Sequence, residues 1–431
     1  MKKRRVAITG MGAVSPLGHD VQSIWSNLMA GQSGIADIKQ FDASAFPTYI
    51  AAEVKNFTPT PGLSSKHTRF AMSFTHYALE AARQAFDDAA IVPTQSTASR
   101  WGVVAGSGMM TAEFDYLHRF QQTCAVDGEL DWGRLQENTQ DFFKLVDFGK
   151  TTSNSGLSLL TQQFGIRGYA SSVHTACASG GQALGLAMQV IRRGEADFML
   201  AGGFDSMINP LGLSSFCLLG ALSTYNETPE TASRPFDGTR NGFVLGEGAA
   251  FLILEEWDKA QARGARIYAE LAGEGNSLSS YRITDSHPNG DGAIQAIERA
   301  LKDAGVSAGD VDYINAHGTS TKMNDLSETN AIKAVFGAQI DDLPVSSTKG
   351  QTGHLIAAAG ALEAVLSVKA IVHAQIPKTA NLTTPDLECD LDYVVDGPRE
   401  KSVGVVLSNS FGFGGSNSCL LFKHPDFDGA R

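Results

Sequence analysis

The sequence predicts a layered α/β protein built by duplication of one α/β unit. Strand-like apolar runs alternate with Ala-rich helical runs along the whole 431-residue chain, the pattern of helices packed on a sheet. Hydrophobic residues make up 43% and glycines number 45, which suits a large, closely packed interior. Three segments of the first half return in the same order in the second. RRVAITGMGAVS at 4–15 resembles RIYAELAGEGNS at 266–277, and SSVHTACASGGQALG at 171–185 resembles VSSTKGQTGHLIAAAG at 345–360. DFMLAGGFDS at 197–206 resembles GVVLSNSFGFGG at 404–415. The halves meet near residue 260, giving units 1–260 and 261–431.

In chain order, RVAITG at 5–10 reads as the first strand and 71–89 as a helix. WGVVAGSG at 101–108 reads as a second strand. Residues 121–145 are polar without clear periodicity, a surface excursion ending in a helix. A helix at 179–193 follows a strand and a sharp turn at Cys177, then DFMLAGG at 197–203 returns as a strand. The second half repeats this with helices at 292–304 and 355–373 and a strand at 402–410.

Bulk properties narrow the function. A net charge of −12 opposes general nucleic-acid affinity. No uninterrupted apolar run approaches ~18 residues, so no membrane span is expected. MKKRR enters the first strand as a solvated tail, unlike a signal peptide. The cysteines, Cys124, Cys177, Cys217, Cys389 and Cys419, have no CxxC spacing, and their odd number fits a reducing, cytoplasmic setting. Neither a metal ion nor a bound cofactor is expected. ITGMGAVSPLG is a partial dinucleotide fingerprint, with Ser15 where the third small residue belongs; its two glycines read as a tight turn at a strand end.

Four clusters carry chemistry. Cys177 stands between a strand and a Gly/Ala-rich helix, where unsatisfied N–H groups and the helix dipole favour a thiolate; taken alone, it reads equally well as a buried structural cysteine. YINAHGTSTKMND at 313–325 places His317 at a strand tip, followed by Thr319, Ser320 and Thr321. VSSTKGQTGHLIAAAGALEA at 345–364 sets Lys349 and His354 about a flexible GQTG turn, with Glu363 in the next helix. A nearby lysine helps keep an imidazole neutral, able to donate one hydrogen bond to a developing anion. LSNSFGFGGSN at 407–417 alternates Phe411 and Phe413 with glycines, a pliable loop that can offer a backbone N–H and move an aromatic ring.

Together TACASG, NAHGTST, STKGQTGHLIAAAG and NSFGFGGSN resemble the β-ketoacyl-acyl carrier protein synthases, in particular the elongating type II branch. The likeness extends to VAITGMGAVSPLG, ALSTYNETPETASRPFDGTRNGFVLGEGAA, ARGARIYAELAGEG and CDLDYV, nearly the whole chain in order. It implies a thiolase fold with a duplicated five-layered αβαβα core, the nucleophile in the first half and both histidines in the second. The resemblance implies a decarboxylating Claisen condensation: an acyl chain passes from acyl carrier protein to Cys177, and malonyl carrier protein loses CO2 and attacks it.

The resemblance assigns the Cys177 and Phe413 N–H groups to an oxyanion hole and His317 and His354 to the malonyl thioester. Lys349 orders that pair, with Glu363 behind it. Thr319 and Thr321 match pantetheine-binding hydroxyls. Phe411 and Phe413 match the gate, and Met109 and Phe216 the acyl pocket. Lys66 and Arg69 match part of a carrier-protein docking patch. The implied assembly is a homodimer, or a heterodimer with a cysteine-less chain-length-factor homologue. Lys322 stands where the family has proline, GSGMMTAEF places two methionines in the pocket, and the 121–145 excursion is long. These departures keep open a polyketide or polyene ketosynthase beside fatty acid elongation. A degradative thiolase would place a second cysteine in the GFGG loop, and a starter-unit synthase an asparagine in place of His354.

Overall fold

Ten strands make one sheet whose two halves share a single topology. The structure, a computed structural model, describes residues 3–59, 69–108, 113–152 and 154–429. The strands are β1 (Val6–Val14), β2 (Trp101–Ser107), β3 (Ala170–Val173), β4 (Phe198–Ser206) and β5 (Glu247–Glu256), then β6 (Ala269–Leu278), β7 (Tyr313–Asn315), β8 (Val345–Ser346), β9 (Val405–Phe411) and β10 (Ser416–Lys423). Their order is β8-β7-β9-β10-β6-β1-β5-β4-β2-β3. Within each set of five, the first strand pairs antiparallel with the fifth and the fifth antiparallel with the fourth. The fourth then pairs parallel with the second, and the second parallel with the third. The sets are joined edge to edge by β1 and β6, through Ala7–Glu270 and Ile8–Ala269.

Six helices complete the layers: α1 (Ser73–Ala89), α2 (Ser155–Phe164), α3 (Ser179–Arg192), α4 (Asp291–Ala304), α5 (Lys322–Phe336) and α6 (Ala359–His373). α1 and α2 cover the first set, α4 and α5 the second, and α3 and α6 pack on each other between the two. This is the five-layered thiolase arrangement. The stretch Ile356–His373 is long and apolar enough to cross a membrane, yet 89% of it is buried inside the protein.

Glycines set the layer spacing. A Cβ at Gly10 or Gly12 would fall 2.2 or 2.0 Å from the carbonyl oxygens of Ala85 and Ala81 on α1. Gly273 and Gly275 stand likewise against Ala300 and Ala296 on α4, at 2.6 and 2.0 Å. Gly10 and Gly12 therefore lie inside a buried strand and admit a helix backbone; they form neither a tight turn nor a phosphate loop. At the centre, a Cβ on Gly180 would lie 2.8 Å from the Ala357 oxygen, and one on Gly360 would lie 2.8 Å from the Gly181 nitrogen.

The excursion is more ordered than its polarity suggests. It begins within a helix, Phe114–Cys124, crosses a short hairpin at 125–130, and continues in a second helix, Trp132–Phe142. Trp132, Leu145 and Phe148 are 73%, 78% and 68% exposed.

Candidate active site

Cys177 lies in a single 3-10 turn, Ala176–Ala178, that runs directly into α3. The sharp bend falls one residue before it, at Ala176 with φ +50°. Ser179 Oγ locks the bend, accepting from Thr175 N at 2.8 Å and donating to the Ala176 carbonyl at 2.6 Å. The thiol is buried, and the Cys177 and Phe413 N–H groups both point to it. Gly412 makes this close approach possible: a Cβ there would sit 3.2 Å from Cys177 N and 2.8 Å from the Thr175 oxygen.

His354 Nε2 is 3.0 Å from Cys177 Sγ. Its Nδ1 faces the Ile356 N–H at 3.3 Å, so Nδ1 accepts and the neutral ring carries its proton on Nε2, toward the sulfur. The His317 ring stands edge-on to His354, centroids 5.2 Å apart, and packs on Phe411 at 5.9 Å. Sulfur and both rings offer donor atoms within 4.8 Å of one another. Burial, reinforced by the Lys349 charge, holds both histidines well below the ordinary imidazole range, and His354 further depresses His317. Both rings are neutral donors at neutral pH.

Lys349 is buried and donates to the His317 carbonyl at 2.6 Å and to Glu363 Oε1. Burial pushes the Glu363 carboxyl up to about 7 against the pull of Lys349. The GQTG segment is not a flexible turn. Lys349–Thr352 is a buried helical turn, and Gln351 Nε2 ties it to the Leu28 and Gln32 carbonyls at 2.9 and 2.8 Å.

The expectation of a resting thiolate also changes. Burial pushes the Cys177 thiol up to about 12, outweighing the Lys349 charge and the two N–H groups that pull it down. A charged sulfur in a buried site costs more than these dipoles return, so the resting group is a thiol.

These side chains open into a cavity of about 430 Å³, also lined by Thr319, Thr321, Lys322, Phe243, Phe411 and Phe413. Thr319 and Thr321 hydroxyls lie 2.9 Å apart. Phe216 is buried beside Phe413, ring centroids 6.3 Å apart. Arg69 is exposed, its guanidinium 5.0 Å from the Phe70 ring, and lies outside the cavity lining. Lys66 and Met109 fall outside the described residues.

Two carboxylates beside His317 escaped the sequence reading. Glu328 accepts from the His317 and Gly318 N–H groups, both at 2.8 Å, and from Asn409 Nδ2 at 3.0 Å. Asp325 accepts from Thr319, Ser320 and Phe236 N–H groups and faces Arg240 at 3.5 Å. They shape the loop that presents His317. Their spacing of three on one helix, α5, was the available signal.

A duplicated α/β core carrying a buried thiol, two neutral imidazoles and a pair of convergent N–H donors defines a thiolase-fold condensing enzyme. The Beta-ketoacyl synthase N-terminal domain matches residues 3–260 and the Beta-ketoacyl synthase C-terminal domain residues 268–383. The chain belongs to the β-ketoacyl synthase family and is an acyltransferase. It is 43% identical to "3-oxoacyl-[acyl-carrier-protein] synthase 2" of Coxiella burnetii over 98% of this chain and 99% of that one. The protein of the same name from Synechocystis is 42% identical, with the same coverage. Among solved structures, a β-ketoacyl synthase from Burkholderia phymatum superposes with TM-score 0.88 at 33% identity, covering 98% of this chain and 99% of that one. A type II PKS ketosynthase, solved with its acyl-carrier protein and bound to the hexaketide, gives 0.88 at 34%, covering 99% and 100%.

Proposed function

We propose that this protein elongates acyl chains in type II fatty acid synthesis, condensing acyl carrier protein thioesters with malonyl carrier protein. The observation that carries the reading is the convergence of the Cys177 and Phe413 N–H groups on a thiol that also meets His354 Nε2 at 3.0 Å. Cys177 sulfur attacks the acyl carbonyl and its proton leaves with the carrier thiol. The two N–H groups hold the developing oxyanion, and one such donor is typically worth about 3 kcal/mol. Malonyl carrier protein follows. Its carboxylate departs as CO2, the bonding pair moves into the thioester as an enolate, and His317 and His354 donate to that oxygen. The enolate carbon then attacks the acyl carbon, the sulfur–carbon bond breaks, and one proton returns the thiol.

Lys349 orders the pair: it holds the His317 carbonyl and keeps both rings neutral. Its charge also disfavours a cation among the three donors, so the reading assigns them to thioester chemistry rather than to a metal. Thr319 and Thr321 receive the pantetheine arm, Phe411 and Phe413 gate the cavity, and Met109 and Phe216 line the acyl end. Lys66 and Arg69 contribute to carrier-protein docking. The division into residues 1–260 and 261–431, a homodimer and a cytoplasmic setting belong to the same reading. Acyl chains arrive on carrier-protein phosphopantetheine, and no further cofactor enters.

The exposed apolar side chains at 126–148 favour one second reading, a polyketide or polyene ketosynthase that covers them with a chain-length-factor partner. Incubation with acyl carrier proteins carrying primers of graded length, read by product mass, separates the two. Cys177→Ala is expected to abolish covalent acylation and condensation; an acylated variant would overturn the assignment. His354→Ala is expected to keep acylation and lose malonyl decarboxylation.

A further inference from the structure

The duplication places a second set of convergent backbone donors at the centre of the molecule. Gly12 pairs with Phe251 and Phe251 with Gly202; in the second half Gly275 pairs with Cys419 and Cys419 with Asn409. Gly12 and Gly275 hold the same place, each against an outer-helix alanine. Gly202 therefore corresponds to Asn409, and three residues on Asp205 corresponds to Gly412 and Ser206 to Phe413. Likewise the 3-10 turn Ala176–Ala178 before α3 matches Ile356–Ala358 before α6. Ala176 and Ile356 both take φ +50°, which makes Ala357 the counterpart of Cys177.

In the first site the Cys177 and Phe413 N–H groups face the thiol across a glycine. In the second, the Ala357 and Ser206 N–H groups face a carboxylate: Ala357 N donates to Asp205 Oδ2 at 3.0 Å, and Ser206 N–H donates to the same group. Asp205 is buried, which pushes its carboxyl up to about 7 against the pull of the two N–H groups, and among the described residues its Oδ1 has no hydrogen-bond partner. Gly108 closes the space beside it, since a Cβ there would lie 2.2 Å from Oδ1.

We propose that the Asp205 carboxyl group occupies a second oxyanion hole, and that from there it positions His354. The left-handed backbone of a β-branched residue such as Ile356 is strained and persists only where its surroundings hold it. Asp205 holds the next N–H, that of Ala357. The Ile356 N–H in turn fixes His354 Nδ1 and keeps the Nε2 proton aimed at the reacting atoms. Asp205 is thus a positioning residue, and the hole it fills has the size and donors for a small carboxylate. This inference rests on the reading of His354 as the decarboxylation donor.

The test uses the full chain with Asp205→Gly, Asp205→Asn and His354→Ala. Malonyl carrier protein decarboxylation and iodoacetamide alkylation of Cys177 are followed with and without formate. Displacing a donor at the reacting centre costs on the order of 10²-fold, and Asp205→Gly is expected to lose decarboxylation to that extent while alkylation does not slow, because Asp205 is among the groups that raise the Cys177 thiol. Formate should restore the rate saturably, where chloride at equal ionic strength does not. It should also raise the melting temperature of Asp205→Gly but not that of the parent, a readout that survives a poorly folding variant. Asp205→Asn keeps the hole filled and should gain nothing from formate. Parental decarboxylation by Asp205→Gly, indifference of that variant to formate in rate and melting, or a formate response in Asp205→Asn would each overturn the inference. Normal decarboxylation by His354→Ala would instead remove the reading beneath it.

Discussion

The turns Ala176–Ala178 and Ile356–Ala358 share a backbone and differ in what their amides face. One opens on Cys177 and Gly412 and joins a cavity of about 430 Å³. The other closes on Asp205, with Ala357 where Cys177 stands in the first. Their flanking helices, strands and glycine contacts are alike. The donor geometry thus occurs twice, and two side-chain differences separate the copies: a thiol against a methyl, and no side chain against a carboxyl group.

The largest expected effect comes from erasing that difference. Gly412→Asp would place a carboxylate beneath the Cys177 and Phe413 N–H groups, as Asp205 stands beneath those of Ala357 and Ser206. The substrate oxygen would lose both donors, and one alone is worth roughly 10²- to 10³-fold. Single-turnover acylation of Cys177, read by intact mass, is expected to fall at least that far. Acylation near the parental rate would show that the open glycine is not what separates the two turns.

A smaller effect concerns the charge that serves only one side. Lys349 depresses both imidazoles, and its ammonium is held by Glu363 and the His317 carbonyl. In the parent the rings are neutral down to well below their ordinary range, so ring protonation should not lower decarboxylation as pH drops through about 6.5. Lys349→Met removes a repulsive positive charge, which raises both ring pKa values. The acid limb of the decarboxylation profile should then move to higher pH, and Glu363, no longer paired, should become a neutral carboxyl. A pH–rate profile between pH 5 and 8 checks this; an unmoved acid limb would dissociate Lys349 from the histidines.

Much of this was legible in the sequence, because strong periodicity survives tertiary context. The helices read at 71–89 and 292–304 are Ser73–Ala89 and Asp291–Ala304, and the three faint repeats fall on equivalent strands and helix starts. Cys177, His317, Lys349, His354 and Phe413 meet in one place although their motifs lie far apart. What stayed hidden depends on partners that sequence does not place. Asp205, Asp325 and Glu328 are ordinary acidic residues until the backbone amides they receive are known. Gly10 and Gly12 looked like a turn because the alanine helix against them is some seventy residues away. The thiol's resistance to ionisation comes from burial, which a local helix-start argument leaves out.

The smallest effect separates stability from chemistry at the point where the two turns touch. A methyl on Gly180 would press on the Ala357 oxygen and the Ala361 nitrogen, both at 2.8 Å; one on Gly360 would press on Ser410 Oγ at 2.6 Å and Gly181 N at 2.8 Å. Overpacking of this kind typically costs about 1–3 kcal/mol, so Gly180→Ala and Gly360→Ala should lose similar stability in denaturant melts. Their kinetics should diverge. Gly180→Ala pushes on the turn that carries the Ile356 N–H, and so should slow decarboxylation more than acylation. Gly360→Ala pushes on Gly181 and Ser410, on the side of α3 and the Phe413 loop, and so should slow acylation more than decarboxylation. If both variants lose both steps in equal proportion, the two turns move as one rigid unit. The division of labour between them then lies wholly in their side chains.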